Sequence, residues 1–485
     1  MNFNEMSLLT DFYELTMMQG YQSTGITNKI VVFDLFYRKN PSGNGFAICA
    51  GLEQAIDYIK NLSFSKEDIE YLKSLNTFNE DFIKYLENFK FSGDIYAIPE
   101  GTVVFPHEPL MRIKAPIMEA QLIETALLNI INHQSLIATK AARVVWAAEG
   151  DPVLEFGLRR AQGPDAGTYG ARAAVIGGCV GTSNVLTGRL FDVPVKGTHA
   201  HSWVMSFPDE LTAFRKYADL FPNACTLLVD TYNTLESGVP NAIKVFSEMR
   251  EKGIELKNYG IRLDSGDLAY LSKKARVMLD EAGFKDAVIS ASSDLDENLI
   301  ASLKLQNAQI HLWGVGTKLI TSDDCPAFGG VYKLAAETDE NGEFVPKIKL
   351  SNNTEKVTNP GIKKIFRIYD KNTNKIKADL ITLDDETIDT TKPLKLFDSS
   401  AKWKKMTLKP GEYYIRELLV PIFKNGECVY ESPKTMDIKK YCDKELDTLW
   451  DEHRRLKNPH IVPVDLSEKL YNLKHELIEE LSKSE

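Results

Sequence analysis

Two histidines, His199 and His201, lie in the short segment from Gly197 to Trp203. On a strand end their side chains would project to opposite sides, and no nearby cysteine or carboxylate completes a set of metal ligands. A metal site is therefore disfavoured. Neutral imidazole is nucleophilic near pH 7, which fits one histidine as a general base or as a phosphoryl acceptor. A structural role is the alternative for either residue, and it is favoured more for His199.

A cation and two carboxylates lie together in a second segment. Arg262 and Asp264 would share one face of a strand, and Asp267 lies in the turn that follows. Because carboxylates are hard oxygen ligands, one hypothesis is a site for Mg²⁺ and polyphosphate or for ribose hydroxyls. The alternative is helix capping, with Ser265 as the N-cap and Asp267 in the first turn, which leaves Arg262 unexplained.

Further segments have the composition of anion sites. Phe156 is followed by Arg159 and Arg160, and guanidinium forks suit carboxylate or phosphate, with an exposed loop ion pair as the alternative. Small residues with free backbone N–H groups at helix starts form anion nests, and such residues end two apolar runs, at Ser292, Ser293 and Asp294 and at Gly314, Gly316 and Thr317. The sequence has no Walker A pattern, which excludes a P-loop nucleotide site.

The elements that would position these residues are short apolar runs between residues 150 and 335. Their starts lie about 20 to 35 residues apart, the length of a βα unit, and no hairpin signal joins them. We therefore predict an α/β fold with an irregular (β/α) barrel, in which the active site lies at the carboxyl ends of the strands. The predicted strands are Val153 to Gly157, Ala173 to Gly177, Val193 to Gly197, Thr226 to Asp230, Gly260 to Asp264, Ala287 to Ser292 and Ile310 to Gly314.

We predict three domains, which are an N-terminal α/β domain over residues 1–117, the barrel over 118–335 and a smaller C-terminal α/β domain over 336–485. Local patterns within them predict a helix from Leu8 to Tyr21, a strand from Ile30 to Tyr37, a long helix or helix pair from Met118 to Glu149, hairpin turns at Asn341-Gly342 and Asn425-Gly426, and an amphipathic helix from Leu466 to Leu481.

Composition limits the classes of partner. The chain has 485 residues, with 58 Lys and Arg against 68 Asp and Glu and a formal net charge of -10, which argues against nucleic acid as the main partner. No apolar run approaches the roughly 18 residues of a membrane span, and the first residues do not resemble a signal peptide. The six cysteines are scattered without a zinc or disulfide spacing, so we expect reduced thiols in a cytoplasmic protein.

Five motifs, taken in order, resemble those of the nicotinate phosphoribosyltransferase family: Leu9 to Met17, Phe156 to Gly163, Gly197 to Ser202, Arg262 to Asp267 and Gly314 to Thr317. The resemblance implies a type II phosphoribosyltransferase fold and a homodimer whose sites lie between subunits. It also implies transfer of 5-phosphoribosyl from its 1-diphosphate to nicotinate, giving nicotinate mononucleotide and diphosphate with coupled ATP hydrolysis and Mg²⁺. The histidine that relatives phosphorylate transiently corresponds to His201, whereas no role is carried over to His199.

The resemblance also implies roles for individual residues. Tyr13 of the partner subunit and Phe156 would sandwich the pyridine ring. Around the ring and its carboxylate would lie Arg159, Arg262 and Thr198. The ribose hydroxyls or Mg²⁺ would be bound by Asp230 and Asp264, with Asp267 nearby, and the 5-phosphate by Gly314, Gly316 and Thr317. Secondary candidates for the diphosphate are Arg38 and Lys39.

Two alternatives stay open. A relative that uses nicotinamide shares most of these motifs but has an aspartate where this chain reads Gly181-Thr182-Ser183, and Ser183 suits a carboxylate substrate better. A catalytically silent, metabolite-binding homologue is the other. Quinolinate phosphoribosyltransferases are shorter and lack the phosphohistidine motif. The basic segment from Lys356 to Lys364, with its Thr-Asn-Pro-Gly turn, is a candidate flap over the site.

Overall fold

The computed structural model describes residues 6–353, 356–399, 401 and 403–482. The chain forms two compact units. The first comprises Met1–Leu136, Ala327–Pro433 and Lys440–Glu485, and the second comprises Ile137–Pro326 and Lys434–Lys439.

The α-helices, in chain order, are α1 Phe12–Ser23, α2 Leu52–Asn61, α3 Lys66–Ser74, α4 Glu80–Glu87, α5 Ile117–Leu122, α6 Glu124–Ala147, α7 Pro164–Ile176, α8 Val185–Phe191, α9 His201–Met205, α10 Glu210–Leu220, α11 Val239–Glu251, α12 Leu268–Glu281, α13 Glu297–Leu305, α14 Thr317–Ile320, α15 Thr435–Asp447 and α16 Glu468–Ser482. Within the described ranges, no helix is long and apolar enough to cross a membrane.

The β-strands are β1 Ile30–Tyr37, β2 Ala47–Ile48, β3 Asp94–Ala97, β4 Val103–Val104, β5 Met111–Pro116, β6 Val153–Glu155, β7 Gly181–Thr182, β8 Cys225–Leu228, β9 Tyr259–Leu263, β10 Val288–Ser293, β11 Leu312–Val315, β12 Gly330–Thr338, β13 Phe344–Pro346, β14 Lys363–Asp370, β15 Ile376–Leu383, β16 Leu394–Phe397, β17 Lys405–Leu408, β18 Tyr413–Glu417, β19 Val420–Lys424, β20 Glu427–Cys428 and β21 Val464–Leu466.

The local elements predicted in addition to the seven barrel strands are confirmed. Strand β1 begins and ends at the predicted residues, the predicted helix from Leu8 corresponds to α1, and the long apolar stretch is the helix pair α5 and α6. The Asn341-Gly342 and Asn425-Gly426 turns join antiparallel pairs, β12 with β13 and β19 with β20. Turn residues and short-range periodicity were sufficient for these elements because their structure is set locally.

The first unit contains strands from both ends of the chain. One sheet has the order β13-β12-β1-β5-β3-β19-β20, in which β1 pairs antiparallel with β12 and β3 pairs antiparallel with β19. A second sheet has the order β17-β16-β21-β15-β14-β18. Residues of the predicted N-terminal and C-terminal segments therefore lie in one compact unit, which excludes only Lys434–Lys439 of the C-terminal segment, because strands distant in sequence complete the first sheet.

The second unit is built on a parallel sheet with the order β7-β6-β11-β10-β9-β8. It confirms five of the predicted strands: those beginning near Val153, Thr226, Gly260, Ala287 and Ile310. The curled, incomplete sheet matches the irregular barrel that was predicted. Helices alternate with its strands, so the carboxyl ends of all six lie along one edge.

Two predicted strands are wrong. Ala173 to Gly177 is the end of α7, whose apolar residues are buried all round, and a short apolar run cannot be assigned to helix or strand by periodicity alone. Val193 to Gly197 forms only an isolated bridge, between Thr182 and Val195. The strand in that position is β7, a two-residue element too short to leave a periodic signal.

The segment from Lys356 to Lys364 does not form an exposed flap in the first unit. Thr358 and Lys363 are buried, and Lys363 begins strand β14 and forms an ion pair of 2.7 Å with Asp34. The charge of Lys363 therefore lies in the interior of the unit, whereas Lys356 is exposed and Lys364 is half-buried.

Candidate active site

A cavity of about 520 Å³ lies at the carboxyl ends of the parallel strands in the second unit. The loops after β6, β9, β10 and β11 and the segment before α9 form its wall. The predicted site residues that line it are Phe156, Arg159, Ser183, Thr198, His201, Arg262, Asp264, Gly314, Gly316 and Thr317. Arg160 and the Ser292, Ser293 and Asp294 segment line it as well.

The aromatic wall of the cavity depends on a glycine. Phe156 follows strand β6, and its backbone N–H donates a hydrogen bond of 2.8 Å to the carbonyl of Val315. A Cβ atom on Gly314 would lie 2.7 Å from Cδ2 of the Phe156 ring, closer than carbon atoms approach without displacement. Gly314 therefore gives the ring its position against β11, independently of any contact with phosphate.

The buried carboxylate of Glu155 holds the loop after β6 in place. Glu155 is fully buried, accepts hydrogen bonds from the backbone N–H of Gly157 and from the Thr182 hydroxyl, and has its pKa raised by burial. These contacts join the ends of β6 and β7, which carry Phe156 and Ser183.

Arg262 lies on β9 and is fixed by neutral acceptors. Its guanidinium donates to the Thr198 hydroxyl and, over 3.1 Å, to the backbone carbonyl of His199. Its Nε atom is buried without a hydrogen-bond partner. Burial lowers the pKa of Arg262 from its ordinary value, yet a guanidinium stays protonated, so the cavity contains a poorly compensated cation.

His201 begins helix α9 beside a carboxylate. Its Nδ1 lies 3.1 Å from the Thr231 hydroxyl, and its Nε2 lies 3.7 Å from Oδ2 of Asp264. The His201 side chain is 39% exposed, so solvent or a ligand can reach it. When Nδ1 donates its hydrogen to Thr231, the lone pair is on Nε2 and faces the cavity.

His199 is the structural histidine of the pair. Its residue is 7% exposed, its Nε2 accepts a hydrogen bond of 3.2 Å from the backbone N–H of Leu228, and its ring makes an edge contact with Tyr217. Burial lowers the pKa of His199 to about 4, so the ring is neutral at pH 7. This buried acceptor position explains why the two histidines differ in role.

Replacing His199 with glutamine should change the acid stability of the protein. Its pKa rises from about 4 in the folded chain to its ordinary 6.5 on unfolding, so the unfolded chain binds more protons between these values. The free energy of unfolding therefore falls as the pH drops through that window. His199→Gln keeps an acceptor for Leu228 and should flatten this dependence by up to one proton in urea unfolding at several pH values. An unchanged slope would contradict the buried, neutral state.

The three predicted carboxylates have different environments. Asp264 accepts a hydrogen bond from the Ser292 hydroxyl and lines the cavity. Asp230 accepts bonds of 2.7 Å from the backbone N–H of Asp264 and from the Ser265 hydroxyl, and its other oxygen is buried without a partner. Asp267 is exposed and caps α12 by accepting from the N–H of Tyr270. The capping alternative thus holds for Asp267, whereas Ser265 is not the N-cap.

Three family models match successive parts of the chain. They are the nicotinate phosphoribosyltransferase N-terminal domain over residues 8–132, the nicotinate phosphoribosyltransferase family over 152–324, and the nicotinate phosphoribosyltransferase C-terminal domain over 362–474. The chain is 49% identical over 478 residues to a nicotinate phosphoribosyltransferase of Bacillus subtilis, covering 99% of this chain and 96% of that one. The chain belongs to the nicotinate phosphoribosyltransferase family.

Other members of the nicotinate phosphoribosyltransferase family agree with this assignment. The Caenorhabditis elegans enzyme is 38% identical, with coverage of 97% of this chain and 93% of that one. The crystal structure of human nicotinic acid phosphoribosyltransferase matches with a TM-score of 0.83 and 29% identity over 97% of this chain and 100% of that one. The chain is accordingly an enzyme of the transferase class.

Some residues suggested by the resemblance to nicotinate phosphoribosyltransferases do not line the cavity described. Tyr13 is on α1 in the first unit and is 46% exposed, and Arg38 and Lys39 follow β1 in the same unit. Asp230 and Asp267 do belong to the second unit, where Asp230 follows β8 and Asp267 precedes α12, but neither lines the cavity.

Sequence reasoning missed two residues that support this nicotinate phosphoribosyltransferase site. Thr231 directly follows Asp230, and its hydroxyl forms a hydrogen bond with His201. Nothing in the surrounding sequence indicated this contact. Glu155 directly precedes Phe156. A carboxylate inside an apolar strand segment could have indicated its buried role. Within the described residues, no group of three or more His, Cys, Asp or Glu side chains is arranged to hold a metal ion.

Proposed function

We propose that this chain catalyses ATP-coupled transfer of 5-phosphoribosyl from 5-phosphoribosyl 1-diphosphate to nicotinate, giving nicotinate mononucleotide and diphosphate for NAD biosynthesis. One observation carries the proposal: a single cavity is lined by an aromatic wall, a half-buried guanidinium and a half-exposed histidine beside a carboxylate. The names of the relatives support the choice of substrates.

The acceptor would bind between Phe156 and Arg262. A flat pyridine ring suits the face of Phe156, and its carboxylate suits the under-compensated guanidinium, with the Thr198 hydroxyl held next to it. In the transfer, the bond from C1 of the ribose to the diphosphate oxygen breaks and a bond from C1 to the ring nitrogen forms. Positive charge develops on the ribose, so the carboxylate of Asp264 would stabilise it while the chain holds the reactants in line.

His201 would accept the γ-phosphoryl group of ATP on Nε2. Its lone pair is directed by the Nδ1 contact with Thr231, and the bond from the γ-phosphorus to the bridging oxygen breaks as ADP leaves. Hydrolysis of the phosphohistidine then returns the free imidazole. Because Asp264 lies 3.7 Å from Nε2, the phosphorylated and free states of His201 present different charge to the same carboxylate. This is the physical link between ATP and the transfer site.

Magnesium fits the carboxylates that are present. Asp264 lines the cavity and Asp230 has one buried oxygen without a hydrogen-bond partner, and Mg²⁺ is commonly held by one or two carboxylates together with substrate phosphates. Asp264 and Asp230 would hold it. When bound with the diphosphate, the ion neutralises the charge of the leaving group.

The backbone of Gly316 and the hydroxyl of Thr317 would bind the 5-phosphate. We also propose a homodimer in which Tyr13 of one subunit completes the ring site of the other. The exposed Tyr13 ring and its exposed neighbour Phe12 on α1 support that part of the proposal.

The choice between nicotinate and nicotinamide tests the proposal. Ser183 can donate a hydrogen bond to a carboxylate, whereas an aspartate there would repel it, so the wild-type chain should prefer nicotinate by at least about tenfold in kcat/KM. Ser183→Asp should lose most of that preference by raising the KM for nicotinate. The matched control is Ser206→Asp on the surface. Equal use of both acceptors by the wild-type chain, or a preference for the amide, would contradict the assignment.

A further inference from the structure

The first unit contains a second cavity, of about 490 Å³, that none of the catalytic roles above uses. It is lined by residues of strands β1, β12, β15 and β21, by the loop between β4 and β5 and by the segment before β14, with Lys474 of helix α16 on one side. Ligand sites in proteins commonly have volumes of about 300 to 1,000 Å³, so this cavity is large enough for a small metabolite. We call it the α16 cavity. Its charged lining residues are Asp34, Lys333, Lys363, Asp398, Lys404, Asp465 and Lys474, with His107 beside them.

Most of these charges are already paired. Lys363 donates to Asp34 over 2.7 Å and to the carbonyls of Asn359 and Gly361 over 2.8 and 2.6 Å, which uses its three hydrogens. Lys404 pairs with Asp398, which also lines the cavity, over 3.1 Å. These pairs leave little capacity to bind a further anion.

Lys474 is different, because it is buried without a carboxylate. Its residue is 7% exposed, and its Nζ donates one hydrogen bond, of 2.9 Å, to Oδ1 of Asn359. No acidic side chain among the described residues lies within ion-pair distance of it, and the charge that acts on it is that of Lys363. Two of its three hydrogens are therefore unused, at the wall of a cavity.

An ammonium group in this position is costly unless an anion joins it. Burial, and secondarily Lys363, lowers the pKa of Lys474 to about 8, so the side chain is still mostly charged at pH 7. Buried charges in proteins are normally paired. Burying this unpaired ammonium group is therefore unfavourable in free energy. Replacing the lysine, or pairing it with a counterion, should remove that unfavourable contribution.

The neighbours of Lys474 have the hydrogen-bond character of an oxyanion site. The amide nitrogen of Asn359 and the hydroxyl of Thr358, which also line the cavity, are possible donors. Asp465 and Asp398 line the cavity as well, and burial together with Asp398 raises the pKa of Asp465 to about 6. These carboxylates would accept hydrogen bonds from hydroxyl groups of a ligand.

We propose that the α16 cavity binds a small hydroxylated molecule with an oxyanion head group, phosphate or carboxylate, which forms an ion pair with Lys474. This site is separate from the proposed catalytic cavity, since the two are lined by residues of different units. Its occupancy would stabilise the first unit without taking part in phosphoribosyl transfer.

The test measures thermal unfolding of the full chain against increasing inorganic phosphate and, separately, acetate, with chloride keeping the ionic strength constant. A ligand that binds the folded chain raises Tm with concentration. Lys474→Met should raise the apparent Kd of this response at least tenfold for one of the two anions. The anion that shows the loss identifies the head group. The matched control, Lys469→Met, removes an exposed lysine from the same helix and should keep the wild-type response.

A second variant keeps the test decisive if Lys474→Met folds poorly. Asn359→Asp places a carboxylate beside Nζ of Lys474, so the internal ion pair should replace the ligand and again raise the apparent Kd of the response at least tenfold. Phosphate that binds at the catalytic cavity stabilises the wild-type chain and the variants equally, so it does not affect the difference between their Tm responses. Wild-type responses to both anions in both variants would overturn the proposal.

Discussion

His201→Ala is expected to abolish phosphorylation of the chain by ATP and to remove the acceleration that ATP gives. In the proposed reaction Nε2 of His201 is the nucleophile, because Nδ1 is engaged by Thr231 over 3.1 Å and His199 is buried with its Nε2 already accepting a hydrogen bond. Incubation with γ-32P-labelled ATP should leave acid-labile phosphate on the wild-type chain and none on the variant.

The control for this experiment is His311→Gln, which removes an exposed histidine of the same unit just before β11. His311→Gln should incorporate as much labelled phosphate as the wild-type chain. The variant His201→Ala should retain a slow transfer that is insensitive to ATP, since Phe156, Arg262 and Asp264 are unchanged. Label that persists in His201→Ala would remove this residue from the phosphoryl-transfer role.

Arg262→Lys is expected to reduce kcat/KM for nicotinate by about 100-fold, or about 2.7 kcal/mol of transition-state stabilisation. Lysine keeps the charge but cannot reproduce the planar fork that contacts Thr198 and the carbonyl of His199 while facing a carboxylate. Both acceptors would be left without a fixed donor. Steady-state kinetics with nicotinate as the varied substrate measures the effect, which should appear mainly in KM.

Arg215→Lys is the matched control, because Arg215 forms a bidentate pair with Glu248 on the surface of the same unit. Exposed pairs of this kind contribute little, so its kinetics should remain within about twofold of the wild-type chain. If Arg262→Lys behaved like Arg215→Lys, Arg262 would be a structural residue and the acceptor carboxylate would bind elsewhere.

The parts of the fold that follow from local pattern could be predicted from the sequence. Strand β1 and the turns at Asn341 and Asn425 depend on neighbouring residues, and so do the five correct strands of the parallel sheet. The pairing of β1 with β12 and of β3 with β19 could not be predicted, because it joins distant parts of the chain. That pairing brings residues from both ends of the sequence into one compact unit.

The candidate site shows the same division. The predicted strand ends were sufficient to place Phe156, Arg262 and Gly314 at one edge of a sheet. The difference between His199 and His201 required three dimensions, since it depends on the backbone N–H of Leu228 and the hydroxyl of Thr231. The glycine at 314 was expected to bind phosphate, whereas its most direct constraint is the Phe156 ring.

The most direct test of the account is the formation of nicotinate mononucleotide from nicotinate and 5-phosphoribosyl 1-diphosphate, measured with and without ATP by the purified chain in the presence of Mg²⁺. We predict product in both conditions and a faster rate with ATP, with ADP formed in the coupled reaction. Binding of the substrates without any product would identify a silent homologue and contradict the proposed function. A rate that ATP leaves unchanged would contradict its coupling through His201.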